Sequence, residues 1–146
     1  MEFRLWLENQ AQYFYHATTC EALPNIFKRG LLPSKNPTWG GSLGEWSRGK
    51  ICVADSMKEA EYYGNAGIWR GHVNQFHPIL RFMYDPRKLT PDPQAPGDYY
   101  SEKPIKTKFE IYVVEQWRPL TEEIVISIAS GEWDGENPDD YEYYDE

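Results

Sequence analysis

The chain has 146 residues, enough for one domain with a core of its own, and no disulfide or metal staple is needed at that size. Its formal net charge of -8 excludes a broad basic face of the kind that grips duplex DNA. Cys20 and Cys52 lie far apart with no C-x-x-C spacing, which excludes a cysteine zinc site and a disulfide framework.

The elements follow in chain order. Met1 to Trp6 has neither a basic leader nor a long apolar run, so a soluble, cytosolic protein with no membrane span is expected. Tyr13 to Tyr15 reads as a short strand ending at His16. A helix is predicted from Glu21 to Arg29, with Pro24 in its first turn, Leu23, Ile26 and Phe27 on its buried side and Gly30 as its stop. Residues 33 to 48 are rich in Pro, Gly, Ser and Trp and read as a loop. Ile51 to Ala54 is a second strand. Ser56 and Glu59 form a capping box that opens another helix, closed by Gly64. Ile79 to Tyr84 is a strand, and a breaker-rich run follows from Asp85 to Gly97. Phe109 to Val114 and Ile124 to Ile128 read as the last strands. From residue 131 the chain turns acidic and loses its aliphatic residues. The expected organisation is one α+β domain over residues 1–130 and a solvated acidic tail over 131–146.

Several familiar motifs fail. Gly44 to Lys50 has P-loop spacing, but Ile51 replaces the magnesium-binding hydroxyl and the run enters a strand instead of leaving one. No G-x-G-x-x-G follows a strand. Cys52 lies in an apolar strand, where a free thiol is ordinarily buried and inert. His72 and His77 lack a third metal ligand in the sequence, so no metal is expected. Two polar residues remain on strands. His16 ends the aromatic strand just before small residues, and Glu110 sits within Phe109-Glu110-Ile111-Tyr112-Val113-Val114. Alone, His16 reads equally well as structural, and Glu110 reads better as the polar face of a half-buried strand.

The order and spacing of these stretches resemble the ADP-ribosyltransferase superfamily, in its His–Tyr–Glu branch of diphtheria-toxin-like and poly(ADP-ribose)-polymerase-like enzymes. DarT-type toxins and RNA 2′-phosphotransferases are related. The resemblance runs from about residue 13 to 128. It is carried by Tyr15-His16-Ala17-Thr18 and the helix after it, by Gly49-Lys50-Ile51-Cys52-Val53-Ala54-Asp55 leading to Tyr62 and Tyr63, by the turn from Ile79 to Pro93, and by the strand of Glu110 followed by Arg118-Pro119-Leu120. Cys52 stands where the family usually has Tyr, and Ala17 where many members have Gly.

The resemblance implies a split β-sheet with two short helices in its N-terminal half. It implies cleavage of the nicotinamide–ribose bond of NAD and transfer of ADP-ribose without a metal, chemistry that passes through a ribosyl cation. Glu110 would stabilise that charge, and His16 would hold a ribose hydroxyl. The backbone of Ala17, with Thr18 beside it, would clamp the carboxamide. Cys52 would lie by the nicotinamide, and Tyr62 or Tyr63 would stack on it. The segment from Pro96 to Lys108, with Tyr99, Tyr100, Lys103, Lys106 and Lys108, would face the acceptor, expected to be a protein. Single-stranded nucleic acid is the alternative acceptor, and a catalytically silent module that binds a nucleotide or a partner is a third reading.

Overall fold

The computed structural model describes residues 11–33, 49–61, 78–113 and 115–130. The expected acidic tail, the loop before residue 49, and Tyr62, Tyr63 and Gly64 lie outside the described residues.

The described architecture is α+β, as the sequence predicts. Seven strands form one antiparallel sheet: β1 (Gln12–Ala17), β2 (Ile51–Ala54), β3 (Ile79–Tyr84), β4 (Thr90–Pro91), β5 (Asp98–Ser101), β6 (Glu110–Val113) and β7 (Gln116–Pro119), in the spatial order β4-β5-β2-β1-β3-β6-β7. Two helices are α1 (Leu23–Arg29), entered through a 3-10 turn at Cys20–Ala22, and α2 (Glu122–Ala129). A further helical segment covers 57–61. It starts as the capping box predicts, with the Glu59 N–H donating to Ser56 Oγ at 3.3 Å.

Strand alternation separates two faces of the sheet, because directly opposed residues share a face and chain neighbours do not. Phe14, Ile51, Val53, Leu80, Phe82, Ile111 and Val113 fall on one face, where Leu23 and Ile26 of α1 and Val125 and Ile128 of α2 cover them. Leu31, Leu89, Ile105 and Phe109 complete this core. The β1–β3 pairing runs along both strands, from Gln12↔Tyr84 to Ala17↔Ile79. The β1–β2 pairing is much slighter. Its register pair is Tyr15↔Ala54.

Four expectations are corrected. Ile124 to Ile128 is not a strand but the middle of α2. Thr121 caps that helix, its Oγ accepting from the Ile124 N–H at 3.3 Å, and Glu122 and Glu123 occupy the favourable first turn. The β-branched run suits a strand by propensity, yet only Val125 and Ile128 are fully buried, a helical spacing. Phe27 is exposed rather than buried, since Leu23 and Ile26 already fill the inner side of the short α1. The breaker-rich run holds a 3-10 turn at Pro86–Lys88 and the short β4. The presumed acceptor loop contains β5, whose Tyr99 meets Phe14 edge-on at 5.2 Å between ring centroids.

Candidate functional site

At the junction of β1 and β2 a polar side chain bridges the two strands. His16 is the last residue but one of β1, and its half-buried ring crosses to the neighbouring strand. Its Nδ1 lies 2.7 Å from the Cys52 carbonyl oxygen. A carbonyl only accepts, so Nδ1 carries the proton and donates it. The ring's Nε2 is then a lone-pair acceptor. Burial pushes the His16 pKa below its ordinary value, and the bond to the Cys52 carbonyl opposes that only in part. His16 is therefore a neutral imidazole of fixed tautomer, pinned across the junction of two strands. It is suited to accepting a hydrogen bond from a hydroxyl, not to holding an anion by charge.

The neighbouring groups are ordered by the same junction. Ala17 opposes Ile79 on β3, and the Thr18 N–H donates to the Pro78 carbonyl at 2.9 Å. That N–H is thus already used by the fold. Cys52 is half-buried, and burial is the main cause that pushes its thiol up to about 12, with Lys50 opposing and Asp98 and Asp92 reinforcing. It is a protonated thiol, not a nucleophile, in line with the apolar strand it occupies. Tyr100 opposes Cys52 across β5, with the Lys50 ammonium 5.3 Å from its ring centre. Among the described residues no three His, Cys, Asp or Glu side chains gather to hold a metal, and no helix is long and apolar enough to cross a membrane.

Glu110 is elsewhere. It opposes Arg81 on β3, which gives a two-point ion pair, Arg81 Nε to Glu110 Oε1 at 2.8 Å and Nη2 to Oε2 at 3.4 Å. The guanidinium is flanked by two rings, with its carbon 4.3 Å from the centre of Tyr13 and 4.5 Å from that of Trp117. Trp117 also meets Tyr15 at 5.7 Å and Tyr112 at 5.1 Å. The hydrogen bond that Arg81 donates to Glu110 raises its already high pKa, so the cation is permanent.

This cluster occupies the face turned away from the helices. His16 opposes Leu80, and Glu110 opposes Arg81, the next residue along β3. The two candidate catalytic side chains therefore leave the sheet in opposite directions. This arrangement does not bring Glu110 and His16 into one site, and the pairing of their roles inferred from the sequence resemblance is corrected on that ground. The cause is register: β6 is aligned so that its one carboxylate meets the one cation of β3.

Of the other expected site residues, Ala17 and Thr18 follow His16 at the end of β1, and the Cys52 carbonyl bonds its ring, while the Cys52 side chain shares the face of Tyr15 and leaves the sheet opposite to His16. Tyr99 faces the core beside Phe14. Lys103, Lys106 and Lys108 are exposed, after the end of β5. The sequence reading missed Arg81. A charge inside Ile79-Leu80-Arg81-Phe82-Met83-Tyr84 needs a partner when the strand is central, and that requirement was visible in the sequence.

No family model, no curated protein and no solved structure matches the chain.

Proposed function

We propose that the protein is a nucleotide-binding domain of the ADP-ribosyltransferase kind, which takes NAD at the junction of β1 and β2 and transfers ADP-ribose to a macromolecular acceptor. The observation that carries this reading is His16: neutral, pinned through Nδ1 to the Cys52 carbonyl, with Nε2 left to accept a bond from a ribose hydroxyl. The order of elements in the sequence resemblance adds to it. In the transfer step the nicotinamide–ribose bond breaks, nicotinamide leaves with the electron pair, and an acceptor nucleophile bonds to the ribose carbon as it gives up its proton. The positive charge that builds on the sugar calls for a carboxylate.

A second reading is binding without transfer, and Glu110 favours it. Its carboxylate is spent on Arg81 and faces away from His16. Incubation with labelled NAD separates the two. Transfer of label to protein or nucleic acid, lost in His16→Ala, supports the first. Binding of NAD with no label transferred supports the second. Absence of both removes the nucleotide reading altogether.

A further inference from the structure

The chain has 15 Lys and Arg against 23 Asp and Glu, yet six of its cations gather on one border of the fold. Backbone bonds bring them together. Leu31 and Ile105 exchange two hydrogen bonds of 2.9 Å, which lays residues 102–108 against the end of α1. Lys106 Cγ lies 3.0 Å from where a side chain on Gly30 would begin, so the last turn of α1, which carries Lys28 and Arg29, ends beside Lys106. Ser101 ties down the other end, its Oγ accepting from the Lys103 N–H at 3.1 Å and donating to the Lys103 carbonyl at 2.7 Å. Ile51 opposes Ser101, so Lys50 shares that sheet end with Lys103.

Lys28, Arg29, Lys103, Lys106 and Lys108 are all exposed. Among the described residues, ion pairs join Arg81 to Glu110 and Arg87 to Asp85, and neither uses any of these five cations. Within residues 102–108, Glu102 is the one acid against three lysines. In a chain this acidic, holding Lys28, Arg29, Lys103, Lys106 and Lys108 together with no ion pair among the described residues costs self-repulsion that a polyanion would relieve. Their field reaches roughly 8–10 Å at physiological salt, so acids farther away screen it little.

We infer that this border binds a single-stranded nucleic acid, with the phosphates along Lys28, Arg29, Lys103, Lys106 and Lys108. Five cations in a chain of net charge -8 suit a single strand better than a duplex, which needs a broad basic face. The binding rests on the border alone and does not depend on the NAD reading.

The test is fluorescence anisotropy of a labelled 20-nucleotide oligothymidylate with the full chain, from 50 to 200 mM NaCl. Five phosphate contacts predict that log K falls with log salt at a slope of about -3.5. Lys103→Gln/Lys106→Gln/Lys108→Gln is expected to lose at least about tenfold in affinity at 50 mM NaCl and to flatten the slope by about 2. Lys28→Gln/Arg29→Gln, on a different element, is expected to weaken binding in the same way. Lys88→Gln, exposed elsewhere, is expected to leave it unchanged, and thermal melts establish that each variant is folded. No binding by the wild type, undiminished binding by the folded triple variant, or an equal loss in Lys88→Gln overturns the inference. Poly-glutamate bound as tightly as the oligonucleotide also overturns it, and gives the border to an acidic protein surface instead.

Discussion

Leu80, which opposes His16 on β3, is the chain neighbour of Arg81, which opposes Glu110, so the imidazole and the carboxylate leave the sheet on opposite faces. One residue of register decides this, because side chains in a strand alternate with period two. His16 is left as the polar group at the junction of β1 and β2. Glu110 becomes one half of an ion pair enclosed by Tyr13 and Trp117.

Glu110→Gln is therefore a stability variant. The pair is partly shielded, with side-chain exposures of 20% for Arg81 and 31% for Glu110, so it lies between a surface pair and a buried one. Its loss is expected to cost about 1–2 kcal/mol, since the guanidinium keeps its two rings but loses its charged acceptor. Urea unfolding of the variant measures this. A change within error would mean that the rings alone hold Arg81.

His16 makes stability depend on pH in one direction. Unfolded, the ring takes up a proton near 6.5, whereas burial lowers its pKa in the fold. Below 6.5 the unfolded chain binds more protons than the native one, so stability falls as pH falls through that window, down to the native pKa. Denaturant midpoints from pH 7.5 to pH 5 are expected to drop more steeply for the wild type than for His16→Gln. Parallel curves would show that the folded ring titrates as freely as the unfolded one.

Much of this fold was legible in the sequence because local signals agreed with the tertiary answer. Ile51 to Ala54 and Ile79 to Tyr84 are strands with those bounds, and Ser56 and Glu59 start a helix as their spacing requires. The segment from Ile124 to Ile128 was not legible, because β-branched propensity and the Thr121 cap point to different structures and packing against α1 favours the helix. The candidate site was half legible. That His16 stands near the end of its strand can be read from the aromatic run and the small residues after it. That Glu110 meets Arg81 depends on how β6 aligns with β3, a long-range register that no local pattern in either strand encodes.

Gly30 is required by its backbone and by its neighbour. It closes α1 with φ 81° and ψ -171°, a region that side chains avoid, and a Cβ there would run into the Ile105 carbonyl. Gly30→Ala is expected to cost on the order of 1–3 kcal/mol for the backbone alone, and more where it pushes residues 105 and 106 away. Thermal unfolding checks it. An unchanged midpoint would mean that the Leu31–Ile105 bridge yields without cost.

Thr121→Ala removes the side-chain cap of α2 and leaves the Ile124 N–H without its acceptor. The expected loss is about 1 kcal/mol, read by chemical denaturation, and Thr121→Ser should restore most of it. No loss in Thr121→Ala would show that water serves that N–H as well as the hydroxyl does.

The central claim is that NAD is held through His16 and independently of Glu110, and titration calorimetry with NAD tests it most directly on three folded proteins: the wild type, His16→Ala and Glu110→Gln. The account predicts that the wild type and Glu110→Gln bind with the same affinity, and that His16→Ala binds at least about tenfold more weakly while still unfolding cooperatively, since a lost hydrogen bond and a misplaced ribose act together. Equal affinity in His16→Ala, loss of binding in Glu110→Gln, or no heat from the wild type would contradict it.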